Sequence, residues 1–287
     1  MINGFFLIDK EEGMTSFEVV MAVRKLTGMR RVGHAGTLDK LATGLLIVAV
    51  GEATKLLEFL LGCDKTYEVA ARFGAVSSTG DRDGTIVESS FDFPRKTNFE
   101  MKKIISDNFS GEILQVPPKY SALKIAGKRA SDIMRSGNEV EMKPRKILID
   151  KFRILKNDWP LVRFRVQCSA GTYIRSLISD LGEKIGCGAY VALLRRLSIN
   201  DFLVSGAVKV CELDKNFEQE LLSLEKIAEK FPCTILTDKE LLQLGDGKTL
   251  ENKKIEHGSC SMAFNKGKLV GVVENFRGGI KFKKQIK

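Results

Sequence analysis

The segment GHAGTLDKLATGLLIVAV, residues 33 to 50, restricts the fold more than any other part of the chain. Leu45 to Val50 is short, branched and uncharged, with Gly44 and Gly51 at its ends. It is too short for a buried helix and lacks the polar alternation of a half-exposed strand. It therefore predicts a strand covered on both faces, with material packed on either side of its sheet. The turn before it holds two glycines, a histidine and an aspartate. Asp39, at the lip of that strand, has four candidate roles: turn former, metal ligand, phosphate acceptor or nucleophile.

Local patterns fill in the surroundings. FFLIDK predicts a short buried strand. Thr15 and Glu18 have capping-box spacing, which predicts a helix over 16–27 with Val19, Val20, Val23 and Leu26 on one face. GEATKLLEFLLG predicts a short amphipathic helix. KTYEVAARFG alternates, with Tyr67, Val69, Ala71 and Phe73 on one face, as a half-exposed strand should, and TGDRDG supplies its turn. Residues 97–109 read as a helix, and ILIDKFRIL and LVRFRVQC as paired strands. SAGTYIRSLISDLGEKIG reads as a glycine turn leading into a helix that buries Ile174, Leu177, Ile178 and Leu181. The acidic stretch 212–229 is helical in pattern. Residues 232–287 are glycine-punctuated strand candidates, with a hairpin turning at 265–268.

Strands and helices mingle without an internal repeat, which predicts an α+β fold, and 287 residues suffice for one large domain and a small appendage. The boundary is placed between a first part, 1–230, and a small β domain, 231–287.

Lys plus Arg number 46 and Asp plus Glu 36, a surplus of 46 − 36 = 10. The surplus is uneven: residues 119–151 hold nine basic and four acidic residues, and residues 253–287 nine and two. Two separated basic regions point to an extended anionic partner. The proline-punctuated part of the first, 116–147, reads as a long basic excursion from the core. The six cysteines lie far apart with no C-x-x-C pair, which points to a reducing compartment and no structural zinc. The start lacks a signal-peptide pattern, and no apolar run approaches the roughly 20 residues of a membrane span, so a cytoplasmic protein without a membrane partner is expected.

Three function classes compete. A metal-dependent phosphohydrolase would use Asp9 or Asp39, but a second acid two residues on is wanted, and Asp39 has Leu41 there. A non-catalytic RNA clamp would use Gly33-His34-Ala35-Gly36 as a G-x-x-G loop, which needs a helix on each side. The third is an enzyme acting on RNA. GHAGTLDKLATGLL, with YSALK, GTYIRSL and LRRL, closely resembles the TruB-type pseudouridine synthases, the tRNA pseudouridine-55 synthases, in order and spacing from FFLIDKEEGMTS to about residue 205.

The resemblance implies roles residue by residue. Asp39 matches the nucleophile that attacks a flipped uridine, so that the glycosidic bond breaks and a bond to C5 forms. Arg175 matches the arginine that keeps this carboxylate ionised and aimed. Tyr67 matches the tyrosine that stacks on the base and helps to remove the C5 proton. Tyr173 matches a substrate-contacting tyrosine, Leu197 a residue lining the uracil pocket, and His34 the wedge that fills the space left by the flipped base. Arg30 and Arg31 are candidate phosphate contacts, and Gly33 and Gly36 would let RNA approach.

The resemblance further implies a pseudouridine-synthase catalytic domain with a mixed, mainly antiparallel sheet and a PUA-like C-terminal β domain. It implies no cofactor and no metal, the T stem-loop of tRNA as partner, residues 116–147 as an RNA-gripping insertion, and a monomer. Lys40 departs from the family's proline after the aspartate. It frees the backbone there and adds a positive charge near the carboxylate, and Lys40→Pro is expected to leave activity intact.

Overall fold

The strand predicted from LLIVAV sits where a doubly covered strand must sit. In the computed structural model, which describes residues 2–89, 93, 95–121, 123–125, 127–251, 253–255 and 258–286 but not the side chain at 129, this strand is Thr43–Val50. The first elements are β1 (Gly4–Lys10), α1 (Ser16–Thr27), β2 (Val32–His34), β3 (Thr43–Val50), a 3-10 turn (Gly51–Leu56) continued by α2 (Leu57–Leu61), and β4 (Lys65–Phe73). Next come β5 (Ala75–Ser77), β6 (Ile86–Glu88), α3 (Asn98–Asn108), β7 (Gly111–Gln115), β8 (Lys124–Ile125), β9 (Lys128–Arg129), α4 (Ala130–Arg135), β10 (Arg145–Asp158) and β11 (Leu161–Cys168). The remainder is α5 (Ile174–Ile185), β12 (Ala189–Ile199), β13 (Phe202–Leu203), α6 (Leu224–Ala228), β14 (Cys233–Ile235), α7 (Asp238–Gly245), β15 (Cys260–Asn265), β16 (Lys268–Phe276) and β17 (Gly279–Gln285).

The main sheet runs β1-β3-β12-β4-β11-β10-β7, with β2 beside β3 and β13 beside β12. It is mixed and mainly antiparallel, as expected: β12 runs parallel to β3, and the other described pairs are antiparallel. On one face, Phe6, Ile8, Val48 and Val50 join Tyr67, Val69, Phe164 and Val166 in a core closed by α1, α3 and α5. On the other, Phe5, Leu45, Ile47 and Ala49 pack against Leu56, Leu60 and Ile227, and against Met262, Phe264 and Val272 of the small sheet β14-β15-β16-β17. Coverage on both faces explains why β3 is apolar throughout. Beyond it the second cover ends, and β11 alternates buried Val162, Phe164 and Val166 with exposed Arg163 and Arg165.

The split edge of β3 creates the site. β2 pairs with its far end, Val32 opposite Val50, while β12 pairs with its near end, Arg195 opposite Thr43 and Arg196 opposite Gly44. Residues 35–42 leave through the gap between them. The carbonyls stranded there are satisfied by the loop and by one arginine: Ala35 N–H donates to Ile47 O at 2.9 Å and Arg196 Nε to Leu45 O at 2.7 Å. Gly44 lies where the β12 backbone crosses closest. Its φ is +101°, and a Cβ there would stand 2.2 Å from Arg196 O.

One segment departs from its sequence pattern. Residues 212–229 are not a continuous helix but short turns followed by α6, Leu224–Ala228. The free edge of β1 claims the backbone before α6: Phe5 N–H donates to Leu222 O at 2.9 Å, Leu222 N–H returns to Phe5 O at 2.8 Å, and Asp9 N–H donates to Val208 O at 2.8 Å. An edge strand with unpaired groups outcompetes an isolated amphipathic helix.

Candidate active site

The loop that leaves the gap is fastened from several directions. Leu38 N–H donates to Ser16 Oγ at 2.8 Å, and Ser16 Oγ donates back to Leu38 O at 3.1 Å, so the first residue of α1 holds the turn before Asp39. Gly13 N–H donates to Lys40 O at 3.0 Å. The fully buried Lys10 Nζ donates to Met14 O at 2.7 Å, Glu11 O at 3.0 Å and Lys40 O at 3.4 Å. Burial pushes the Lys10 ammonium down to about 8, against the pull of Asp39. Lys10 ends an apolar strand, and sequence reasoning missed it.

Asp39 lies in a cavity of about 350 Å³, bordered by Thr37, Lys65, Tyr67, Tyr173, Arg175, Leu194 and Arg196. Arg175 grips it with two prongs, Nε to Oδ2 at 2.9 Å and Nη2 to Oδ1 at 3.2 Å. The guanidinium is otherwise spent on protein: Nη1 donates to Thr79 O at 2.8 Å and lies 3.5 Å from Asp81 Oδ2, and Nη2 also donates to Tyr120 O at 2.9 Å. Such a planar fork with fixed partners orients a carboxylate rather than following it.

The Asp39 side chain keeps 38% of its surface open towards the mouth, while Arg175 keeps 5%. Protein crowds the carboxylate on its other sides. That desolvation raises its pKa, the Arg175 charge pulls it down, and the Asp81 charge pushes it up again. The ammonium that acts on it is Lys10, whereas Lys40 is exposed and contributes its carbonyl, a group that proline would retain.

Tyr67 sits on β4 directly opposite Arg196 of β12. Both are buried, and burial raises the phenol pKa while a hydrogen bond from Arg196 opposes the rise. Arg196 Nη2 also donates to Gly36 O at 3.0 Å, tying the β12 side of the cavity to the Asp39 loop. Tyr173 is the residue before α5 and borders the cavity.

The structure thus brings Asp39, Tyr67, Tyr173 and Arg175 together, but not Leu197. The cavity is bordered by Leu194, the first leucine of LRRL, and the reason is strand geometry. Residues 194 and 196 share a face at period 2, and Leu197 falls in a register shift between Arg196 and Ser198. His34 is half-buried at the end of β2, outside the cavity lining, two residues before Gly36, which is in it. Arg31 is engaged by Glu52 and Thr54 at 2.6 and 2.7 Å. Gly33 leaves room for Leu57, whose Cδ1 would lie 2.8 Å from an added Cβ, so internal packing accounts for it.

Two residues that sequence reasoning passed over belong to the site. Asp81, which reads as part of a turn, is 4% exposed and faces Arg175. Gln115, 2% exposed at the end of β7, bonds the Tyr173 backbone.

The competing arrangements are absent in their geometry. Gly33 lies in β2 and the loop runs into β3, so no helix flanks the G-x-x-G on either side. Asp9 is held by Arg195 at 2.9 and 2.7 Å, away from Asp39's cavity, and among the described residues no group of three potential metal ligands converges.

Comparison with known proteins agrees with this geometry. Residues 24–174 match the model of the TruB family pseudouridylate synthase N-terminal domain, and residues 175–229 that of the tRNA pseudouridylate synthase B C-terminal domain. The chain is 40% identical over 257 residues to tRNA pseudouridine synthase B of Clostridium acetobutylicum, covering 89% of this chain and 88% of that one. It is 36% identical over 283 residues to the Aquifex aeolicus protein of the same name, covering 97% of each. Among solved structures, a chain of a Cbf5-Nop10-Gar1 complex shares the fold with a TM-score of 0.75 at 24% identity, over 99% of this chain and 84% of that chain. With a family model spanning more than half of its length and relatives this similar over most of it, the chain belongs to the TruB family of pseudouridylate synthases.

Proposed function

We propose that this protein converts uridine to pseudouridine in the T arm of tRNA, at position 55, acting as a monomer in the cytoplasm without cofactor or metal. The observation that carries the reading is the two-pronged Arg175–Asp39 pair in a cavity bordered by Tyr67 and Tyr173. A cavity of about 350 Å³ is of the size that holds one small ligand group.

In this reading the target base is flipped out of the RNA stack, at a cost of a few kcal/mol that phosphate contacts offset. His34, on the strand entering the loop, fills the vacated place. Asp39 attacks as a carboxylate, aimed by Arg175. The C1′–N1 bond breaks, the freed uracil turns within the cavity, and a C1′–C5 bond forms. Tyr67, stacked on the base, takes part in removing the C5 proton, and N1 ends protonated, so atoms balance without a co-reactant.

The exposed Lys124 and Lys128 of the 116–147 insertion, and the basic 231–287 part, would grip the RNA backbone outside the catalytic part, 1–230. The test is incubation with unmodified tRNA followed by chemical mapping of pseudouridine. Modification in the T arm is expected; none anywhere would overturn the enzymatic reading, and modification elsewhere would overturn the position.

A further inference from the structure

The helix that supplies Arg175 begins without a side-chain cap of its own, since Tyr173, the residue before it, makes no capping hydrogen bond. Its start is instead secured from across the fold. Gln115 Nε2 donates to Tyr173 O at 3.0 Å, and Tyr173 N–H donates to Gln115 Oε1 at 2.8 Å. A primary amide offers one donor and one acceptor side by side, so both of its arms pair with one residue's backbone, as a neighbouring strand would. Gln115 is 2% exposed, which keeps water from competing.

The same joint extends beyond Gln115. Ser176 Oγ donates to Val116 O at 2.8 Å, and Arg175 Nη2, besides holding Asp39, donates to Tyr120 O at 2.9 Å. These four hydrogen bonds join the first turn of α5 to residues 115–120, the root of the basic insertion. The two segments are 58 residues apart in sequence at the Gln115–Tyr173 pair.

We propose that Gln115 is a positioning residue for the isomerisation: its amide sets the backbone at Tyr173, and through it the aim of Arg175 on Asp39, while tying that aim to the seat of the insertion. Gln115 touches neither carboxylate nor arginine fork. This proposal rests on the uridine isomerase reading.

The test compares wild type, Gln115→Ala and Gln115→Glu on unmodified tRNA, with kcat and KM measured separately across pH. Gln115→Ala should lower kcat by roughly 10- to 100-fold with KM little changed, the cost of a reacting group displaced by about 1 Å. Gln115→Glu retains the acceptor but sets an anion against Tyr173 O. Only its protonated, buried acid restores the donor, so the ratio of its kcat to that of wild type should rise as pH falls. A folding defect would not titrate in this way within one protein.

Amide hydrogen exchange over residues 169–178 gives a readout independent of turnover and should be faster in Gln115→Ala. Wild-type kcat in Gln115→Ala, a flat ratio for Gln115→Glu, or unchanged exchange would each overturn the role. If wild type itself made no pseudouridine, the proposed function would fall, and the exchange result would still judge the clamp.

Discussion

The cavity wall built by β3, β4 and β12 and the wall built by residues 120–123 enclose the same carboxylate, but they are held by different means. Behind the first stand Leu45, Leu46, Ile47 and Val48, all shut from water, and cross-strand pairs such as Arg196 with Tyr67. Behind the second stands a small cluster of Ala130, Val140 and Met142, joined to the body largely through the polar contacts of Gln115, Val116 and Tyr120. The contrast separates two tasks. The groups that make and break bonds rest on the close-packed sheet, where small displacements are resisted, and the RNA-gripping segment rests on bonds that can be remade.

Four substitution or titration experiments probe this contrast, and the largest effect should come from the rigid wall. Asp39→Asn keeps the size and hydrogen bonding of the side chain but removes its nucleophilicity. Single-turnover rates should fall by at least about 10³-fold, while tRNA affinity in filter binding stays within about threefold. Loss of affinity in parallel with rate would make Asp39 a binding group instead.

Stability should divide in the same way. Leu46→Ala removes packing in a strand covered on both sides and should cost about 3 kcal/mol in urea unfolding. Met142→Ala, in the insertion's own cluster, should cost under about 1 kcal/mol, because that segment opens locally before the body unfolds. Equal costs would mean that the two walls form one cooperative unit.

The third probe is pH. Burial raises the Asp39 pKa from its ordinary 3.8, so kcat/KM should rise with pH along an acid limb whose midpoint lies above that value. Arg175 pulls in the opposite direction, so Arg175→Gln should move the midpoint to still higher pH and lower the plateau. A midpoint that stays put would remove Arg175 from the control of ionisation.

The smallest effect should come from the polar wall. In Lys124→Ala combined with Lys128→Ala, the slope of log affinity against log salt should become shallower by about 0.7–0.9 for each phosphate left without its lysine. The kcat at saturating tRNA should not change. A fall in kcat would show that the insertion acts on chemistry as well as on grip.

Much of the rigid wall is legible in sequence, because its signals are local. The capping box at Thr15 and Glu18 forms as its spacing implies, and α5 buries Ile174, Leu177, Ile178 and Leu181. What escapes is determined by partners distant in the chain. Residues 212–229 have the periodicity of a helix, but the free edge of β1 pulls part of them straight. β12 gives no clear strand signal, because Arg195 and Arg196 interrupt its apolar residues, and nothing nearby reveals that Arg196 fills a gap between two other strands.

The site shows the same division. Asp39, Arg175, Tyr67 and Tyr173 lie in recognisable motifs and meet in space. Asp81 looks like one of two aspartates in a surface turn, and only the fold turns it towards Arg175. Leu197 and Leu194 are indistinguishable as leucines of one motif until strand register is known. Gln115 carries no local signal, because the backbone it completes is 58 residues away.

Gly44 turns the crossing of β3 and β12 into a statement about tolerated variation. If every position of the gene were randomised and the active survivors sequenced, position 44 should return glycine almost alone, although it lies outside the cavity. Position 40, whose side chain is exposed, should return a broad mixture that includes proline. The narrowest column in such a survey would then record where two stretches of main chain pass closest, with no reference to the reaction.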